Sequence, residues 1–416
     1  MQVVNNNNMS IRKALSGDWL VVILLFFSVT TLFFHYYEIF AILPVFLLLT
    51  EKKKSAQCKR YSILLLIFGI FYTLSFFING GISSRSNYLS YLFPPIFYMV
   101  GSYLGRKYKN HERVLIFILF TMLVMYVARD MINLYQAINT GGTFIIDDRM
   151  IYDEQGHETR SATGYAIVMS VMLVGFALIF TPKQKGTNRW IRISSIILAI
   201  IALLGMLALV TRTSVVESLV MLLISVYMMF TDWKKNKGSV GFLIGFIIII
   251  LLAYYLLEIS EMFQLRDAYQ NRLDADDSFA GNRSGRWLAA IRDVLLHPFG
   301  TASGRLISDG SHGYAHNMWL DVGLRGGWIP FVVLLLITIK NILHSFKLWR
   351  DHSYDYFTRL YFFALMVMFV IGCFVEPVLG AVYNHFLVYL VFCGMVSEMK
   401  PKKGGAQPMQ IIVKKK

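Results

Sequence analysis

What most restricts this chain is the spacing of its apolar runs. Twelve of them, at roughly 17–34, 36–50, 61–79, 88–104, 114–133, 163–181, 193–211, 214–231, 239–258, 316–339, 360–376 and 380–397, alternate with short polar segments. A helix needs about 20 apolar residues to cross the hydrocarbon of a bilayer. Hydrophobic residues make up 56% of the 416 and charged ones only 16%, far from the balance of a soluble domain. The expected fold is therefore all-α: a single polytopic membrane domain over residues 1–416 with about 12 transmembrane helices.

The net charge of +15 would suit a nucleic-acid binder, but its placement argues against one. Basic residues gather in short segments between apolar runs: Lys52 to Arg60, Arg106 to Arg113, Lys183 to Arg192, Lys234 to Lys237, Lys340 to Arg359, and both termini. With twelve spans these all fall on one face, which the positive-inside rule makes cytoplasmic. On that count 28 of the 40 basic residues are inside, including all 20 lysines, and the 12 outside are all arginines. The rule treats Lys and Arg alike, so it does not explain this sorting. Arginine's planar fork grips phosphate and carboxylate in pairs of hydrogen bonds, and that reading competes with simple pairing to outer acids.

Arg12 and Lys13 before the first run resemble a signal peptide without a small-residue cleavage site, so an uncleaved first span is expected. Cys58, Cys373 and Cys393 show no metal or redox spacing and none falls in an outer loop. The tail Lys414 to Lys416 reads as a solvated or lipid-attracted cytoplasmic end.

Two outer loops are long enough to carry function, 135–163 and 258–315. The second contains Arg283-Ser-Gly-Arg286-Trp287-Leu-Ala-Ala-Ile-Arg292, whose apolar spacing predicts an amphipathic helix on the membrane face. It ends near His297-Pro298-Phe-Gly300. The tenth span then opens on His316-Asn317, with Asp321 and Arg325 one and two turns further in. Ionisable groups at such depth are costly and count as functional candidates. Asp321 and Arg325, spaced i, i+4, can also pair along one helix and hold His316 in register. Arg212 lies in a tight turn, where capping, snorkelling or pairing with Glu217 competes with head-group binding. Asp274-Ala-Asp276-Asp277 looks like a metal-binding Asp-x-Asp, a pattern common in acidic loops. Glu38 reads as an interfacial carboxylate beside Tyr36 and Tyr37.

Four blocks in order, Arg160-Ser-Ala-Thr-Gly164, Val210-Thr211-Arg212-Thr213-Ser214, Arg283-Ser-Gly-Arg286-Trp287 with His297-Pro298-Phe-Gly300, and His316-Asn317, resemble the O-antigen ligase and Wzy-type O-antigen polymerase superfamily. They span about 160–345. The loop between Arg286 and His316 is shorter than in ligases, and Trp319-Leu-Asp321 with Arg325 and Ile329-Pro330 looks more like the polymerase branch.

The resemblance implies a GT-C-like membrane glycosyltransferase in a bacterial inner membrane, with both termini cytoplasmic and its active site on the periplasmic face. Its implied donor is a glycan on undecaprenyl diphosphate, and its implied associates are the lipid bilayer and a chain-length regulator protein. Polymerisation of lipid-linked repeat units is the leading activity. Ligation to lipid A-core is the alternative, and a lipid-linked sugar transporter is disfavoured because polar residues cluster at one face rather than in paired repeats. His316 is then the catalytic base, Arg212 and Arg286 hold the diphosphate with Arg283 and Arg160 behind them, and Asn317, Asp321 and Arg325 support. With arginines to neutralise the diphosphate, neither metal nor cofactor is expected.

Overall fold

The computed structural model describes residues 19–29, 55–79, 91–141, 145–146, 150–152, 158–179, 181, 187–231, 283–301, 304–308 and 313–399. Expectations for the runs at 36–50 and 239–258, for Glu38, for Asp274 to Asp277 and for the termini lie outside them.

The described chain is all-α apart from one small hairpin. Its helices are α1 (Trp19–Val29), α2 (Ala56–Ile78), α3 (Pro94–Tyr108), α4 (Glu112–Gly141), α5 (Ala162–Ser170), α6 (Val174–Leu178), α7 (Thr187–Ala208), α8 (Arg212–Thr231), α9 (Arg283–Leu296), α10 (Met318–Gly326), α11 (Trp328–Arg350), α12 (Tyr356–Val375), α13 (Val378–Ala381) and α14 (Tyr383–Glu398). Starts follow local chemistry: Ser55 accepts from the N–H of Cys58, Ser161 from Gly164 and Asn317 from Leu320, each filling one orphan donor of a first turn. Pro94 and Pro95 open α3, where a missing N–H costs nothing.

Among the described residues α2, α4, α7, α11 and α12 are long and apolar enough to cross a membrane. Their burial pattern agrees with lipid as the outer solvent. Ile63, Leu66, Ile70, Leu74 and Ile78 on α2 are exposed at helical spacing, while Leu65, Phe68 and Tyr72 on the opposite face are buried. The same two-sided apolar character recurs on α7 (Ile193, Ile197, Leu204 outward; Ala199, Ala202, Met206 inward). A helix apolar all round belongs inside a protein or in a membrane, so this is a membrane protein.

The interior is organised by α14, which lies against α3. There Gly105 faces the Met395 backbone, and a Cβ would sit 2.6 Å from its carbonyl oxygen; Gly101 and Gly394 touch the facing backbone in the same way. Lipid tails offer no hydrophobic drive between helices, so such close backbone packing holds the pair. Around it Phe362, Phe369, Phe386, Tyr389 and Phe392 are fully buried, with Phe369 and Phe392 rings 5.3 Å apart.

Four expectations change. The tenth span is two helices, α10 and α11, because Gly327 between them has φ +75° and its α-carbon lies against the Pro298 carbonyl, where a side chain has no room. The sixth apolar run is interrupted by a 3-10 turn at Val171–Leu173. The loop expected from residue 135 starts later, since α4 continues to Gly141. Within that loop, β1 (Met150–Tyr152) and β2 (Glu158–Ser161) pair antiparallel, Ile151 opposite Arg160.

Candidate functional site

Glu376 is the centre of the site. It terminates α12, with Pro377 preventing continuation of the helix, and its side chain is 4% exposed. A buried carboxylate needs charged or hydrogen-bonding partners. Glu376 has three from distant parts of the chain. Thr213 Oγ1 donates to Oε1 at 3.4 Å, Arg283 Nη2 reaches the same oxygen at 3.5 Å, and His316 Nδ1 lies 3.3 Å from Oε2. The first two are long, loose contacts; their convergence on one carboxylate carries more weight than either alone.

His316 is held in an uncommon backbone state, φ +53°. Left-handed conformation is rare outside glycine and tends to mark a functional constraint. Asp321 explains how it persists. Its Oδ1 accepts from the N–H of Ala315 at 2.8 Å and its Oδ2 from that of Asn317 at 3.0 Å, so one carboxylate grips the residues on both sides of His316. Asp321 is buried, and the two backbone N–H groups are the hydrogen bonds that offset its desolvation. Asn317 then caps α10 and donates from Nδ2 to the Phe374 carbonyl at 3.3 Å, tying the histidine segment to the end of α12.

This corrects the intrahelical pair. Asp321 is spent on backbone, and Arg325 Nη2 instead donates to the Tyr314 hydroxyl at 2.9 Å. Asp321 does support His316, but through the chain preceding the helix.

The amphipathic helix forms as α9. Trp287 Nε1 donates to the Ala315 carbonyl at 3.0 Å and its ring meets Phe374 edge-on, centroids 4.9 Å apart. Ala290 and Val294 face inward, whereas Leu288, Ile291 and Leu295 form an exposed apolar stripe on the side suited to a membrane surface. Arg286 lies one turn after Arg283, half-buried, with no ion-pair partner among the described residues. Arg212 begins α8 directly before Thr213, preceded by Val210 at φ +46°, a second left-handed residue and a β-branched one. Thr211 Oγ1 accepts the Ser214 N–H and fixes that helix start. Glu217 turns inward, fully buried and without a hydrogen-bond partner among the described residues, so it does not pair with Arg212.

Arg160 belongs to a separate polar group. It forms an ion pair with Asp130 and lies over the Tyr165 ring, while nearby Tyr126 hydrogen-bonds His385 at 3.1 Å. Its charge is thereby already offset.

The structure thus joins His316, Asn317, Asp321, Arg283 and Thr213 around Glu376, and sets Arg286 on the helix that carries Arg283. His316 Nε2 makes no hydrogen bond among the described residues, and the side chain is 32% exposed. With Nδ1 toward a carboxylate, the opposite nitrogen is oriented to take a proton from a hydroxyl. Sequence reasoning missed Glu376, although a carboxylate ending an apolar run just before a proline was a visible signal. Comparison with protein-family models returns no match, and neither does comparison with curated protein sequences.

Proposed function

We propose that this protein is a membrane glycosyltransferase that joins lipid-linked oligosaccharide repeat units into a surface polysaccharide. The observation that carries the reading is the contact of His316 Nδ1 with buried Glu376, next to Arg283 and with Nε2 left for substrate. The carboxylate fixes ring orientation and stabilises the imidazolium formed when Nε2 takes a proton. The acceptor hydroxyl oxygen then bonds to the anomeric carbon of the donor sugar as the bond from that carbon to the diphosphate oxygen breaks. The proton stays on His316 until it is released to water.

The leaving diphosphate gains negative charge, which the guanidinium groups of Arg286 and Arg212 neutralise, with Arg283 bridging to Glu376. The donor in this reading is a glycan on undecaprenyl diphosphate. The proposal includes a twelve-span, GT-C-like topology in a bacterial inner membrane, cytoplasmic termini, a periplasmic active site, and a chain-length regulator as partner.

Reconstitution with a single lipid-linked repeat unit, and no lipid A-core, tests it. A ladder of lengthened products supports polymerisation. Transfer only when core is added makes the protein a ligase, and movement of the lipid-linked sugar across the bilayer without bond formation makes it a transporter.

A further inference from the structure

Tyr314 lies two residues before His316 and gathers two arginines. Arg325 donates to its hydroxyl and has its guanidinium carbon 5.3 Å from the ring centroid; that of Arg305 is 5.9 Å away. Both positions are fixed from the backbone. Thr301 Oγ1 donates to the Arg305 carbonyl at 2.7 Å, and its N–H donates to the Leu324 carbonyl at 2.6 Å. Gly304, at φ +63°, lies directly against the Arg325 stem, where any side chain would collide with it. Tyr72 and Tyr91, rings 4.6 Å apart, face the same guanidinium.

Among the described residues this cluster lacks an anion. Among the described residues neither Arg305 nor Arg325 has a carboxylate within salt-bridge distance, and the obvious candidate, Asp321, is occupied by two backbone N–H groups. A partly buried cation normally finds a counter-charge, and tyrosine hydroxyls supply only dipoles. A guanidinium fork matches an oxyanion with two hydrogen bonds, and aromatic faces beside it suit the C–H face of a sugar ring.

We propose that Arg305, Arg325 and Tyr314 form a subsite for an acidic sugar, one whose carboxylate or phosphate substituent is held beside the transfer site. Only the word sugar rests on the function proposed above; the oxyanion chemistry rests on the cluster.

The test uses the full-length protein in nanodiscs of phosphatidylcholine alone. Two probes are titrated without turnover: an oligosaccharide ending in glucuronic acid, and its carboxyl-reduced, glucose-ended form. The acidic probe should bind about tenfold more tightly, the scale of one charge-assisted bidentate contact. Arg305→Gln and Arg325→Gln should each abolish that preference and leave the neutral probe's binding unchanged. Arg305 is exposed, so its variant decides the matter if Arg325→Gln does not fold by thermal melting. Equal binding of the two probes, or an undiminished preference in Arg305→Gln, overturns the proposal. In discs containing phosphatidylglycerol the preference should persist. Its loss there, with no loss in phosphatidylcholine, identifies a lipid head group as occupant and overturns the sugar assignment. The inactive His316→Asn variant should keep the preference, so failure of transfer and failure of this subsite are read separately.

Discussion

Glu376 touches Thr213, Arg283 and His316, and under the proposed function its removal has a testable effect. Glu376→Gln keeps the shape but removes the charge that His316 Nδ1 faces. Transfer should fall about 10²- to 10³-fold, within the usual range for general acid–base groups. Single-turnover rates check this; a rate unchanged from wild type makes Glu376 structural only. Asp321→Asn brings an amide donor against a backbone donor and should cost about 1–3 kcal/mol in the histidine segment. A lowered thermal midpoint that Asp321→Glu does not restore fits a grip that depends on reach.

At the scale of elements, the break between α10 and α11 sets the histidine segment's angle to the span that follows. Gly327→Ala must accommodate a methyl against the Pro298 carbonyl at φ +75° and ψ −164°, an essentially glycine-only region that costs about 1–3 kcal/mol before any clash. Lost activity and a lowered melting temperature, with no change at the neighbouring, exposed Ile329→Val, are the expected outcome. The sequence read this stretch as one span because the Gly326-Gly327 pair sits inside a continuous apolar window, and hydropathy averages over it. By contrast α9 was legible, since its polar and apolar residues alternate with the helical period. His316 stood out as an ionisable residue opening an apolar span, and Arg283 and Arg286 stood out only through the resemblance of their block. Glu376 carried a local mark, a carboxylate ending an apolar run before a proline, but its partners lie 60, 93 and 163 residues away and no local pattern reports those contacts.

Among the described residues, Glu376, Arg283, Thr213 and His316 come from the ends of four different helices, α12, α9, α8 and α10. No residue of that group is a cysteine, and among the described residues no three His, Cys, Asp or Glu side chains gather as metal ligands. If arginines alone neutralise the leaving diphosphate, transfer measured after exhaustive EDTA dialysis should equal the untreated rate. Activity lost to EDTA and restored by magnesium or manganese would assign that work to a cation. The charge sorting makes a prediction about sidedness. A cysteine placed at Ser284 should react with a membrane-impermeant maleimide from outside intact inverted-free spheroplasts, and one placed at Ser353 only after permeabilisation.

The left-handed turn at His316 bears on how an inactive form of the proposed transferase should be made. Alanine removes the imidazole but also burdens the backbone, so a dead His316→Ala protein conflates lost chemistry with a relaxed loop. Asparagine tolerates that backbone region better than other side chains and has no titratable base. His316→Asn should therefore keep the wild-type melting temperature while transfer disappears, giving a silent enzyme on which a donor can be trapped and its complex studied.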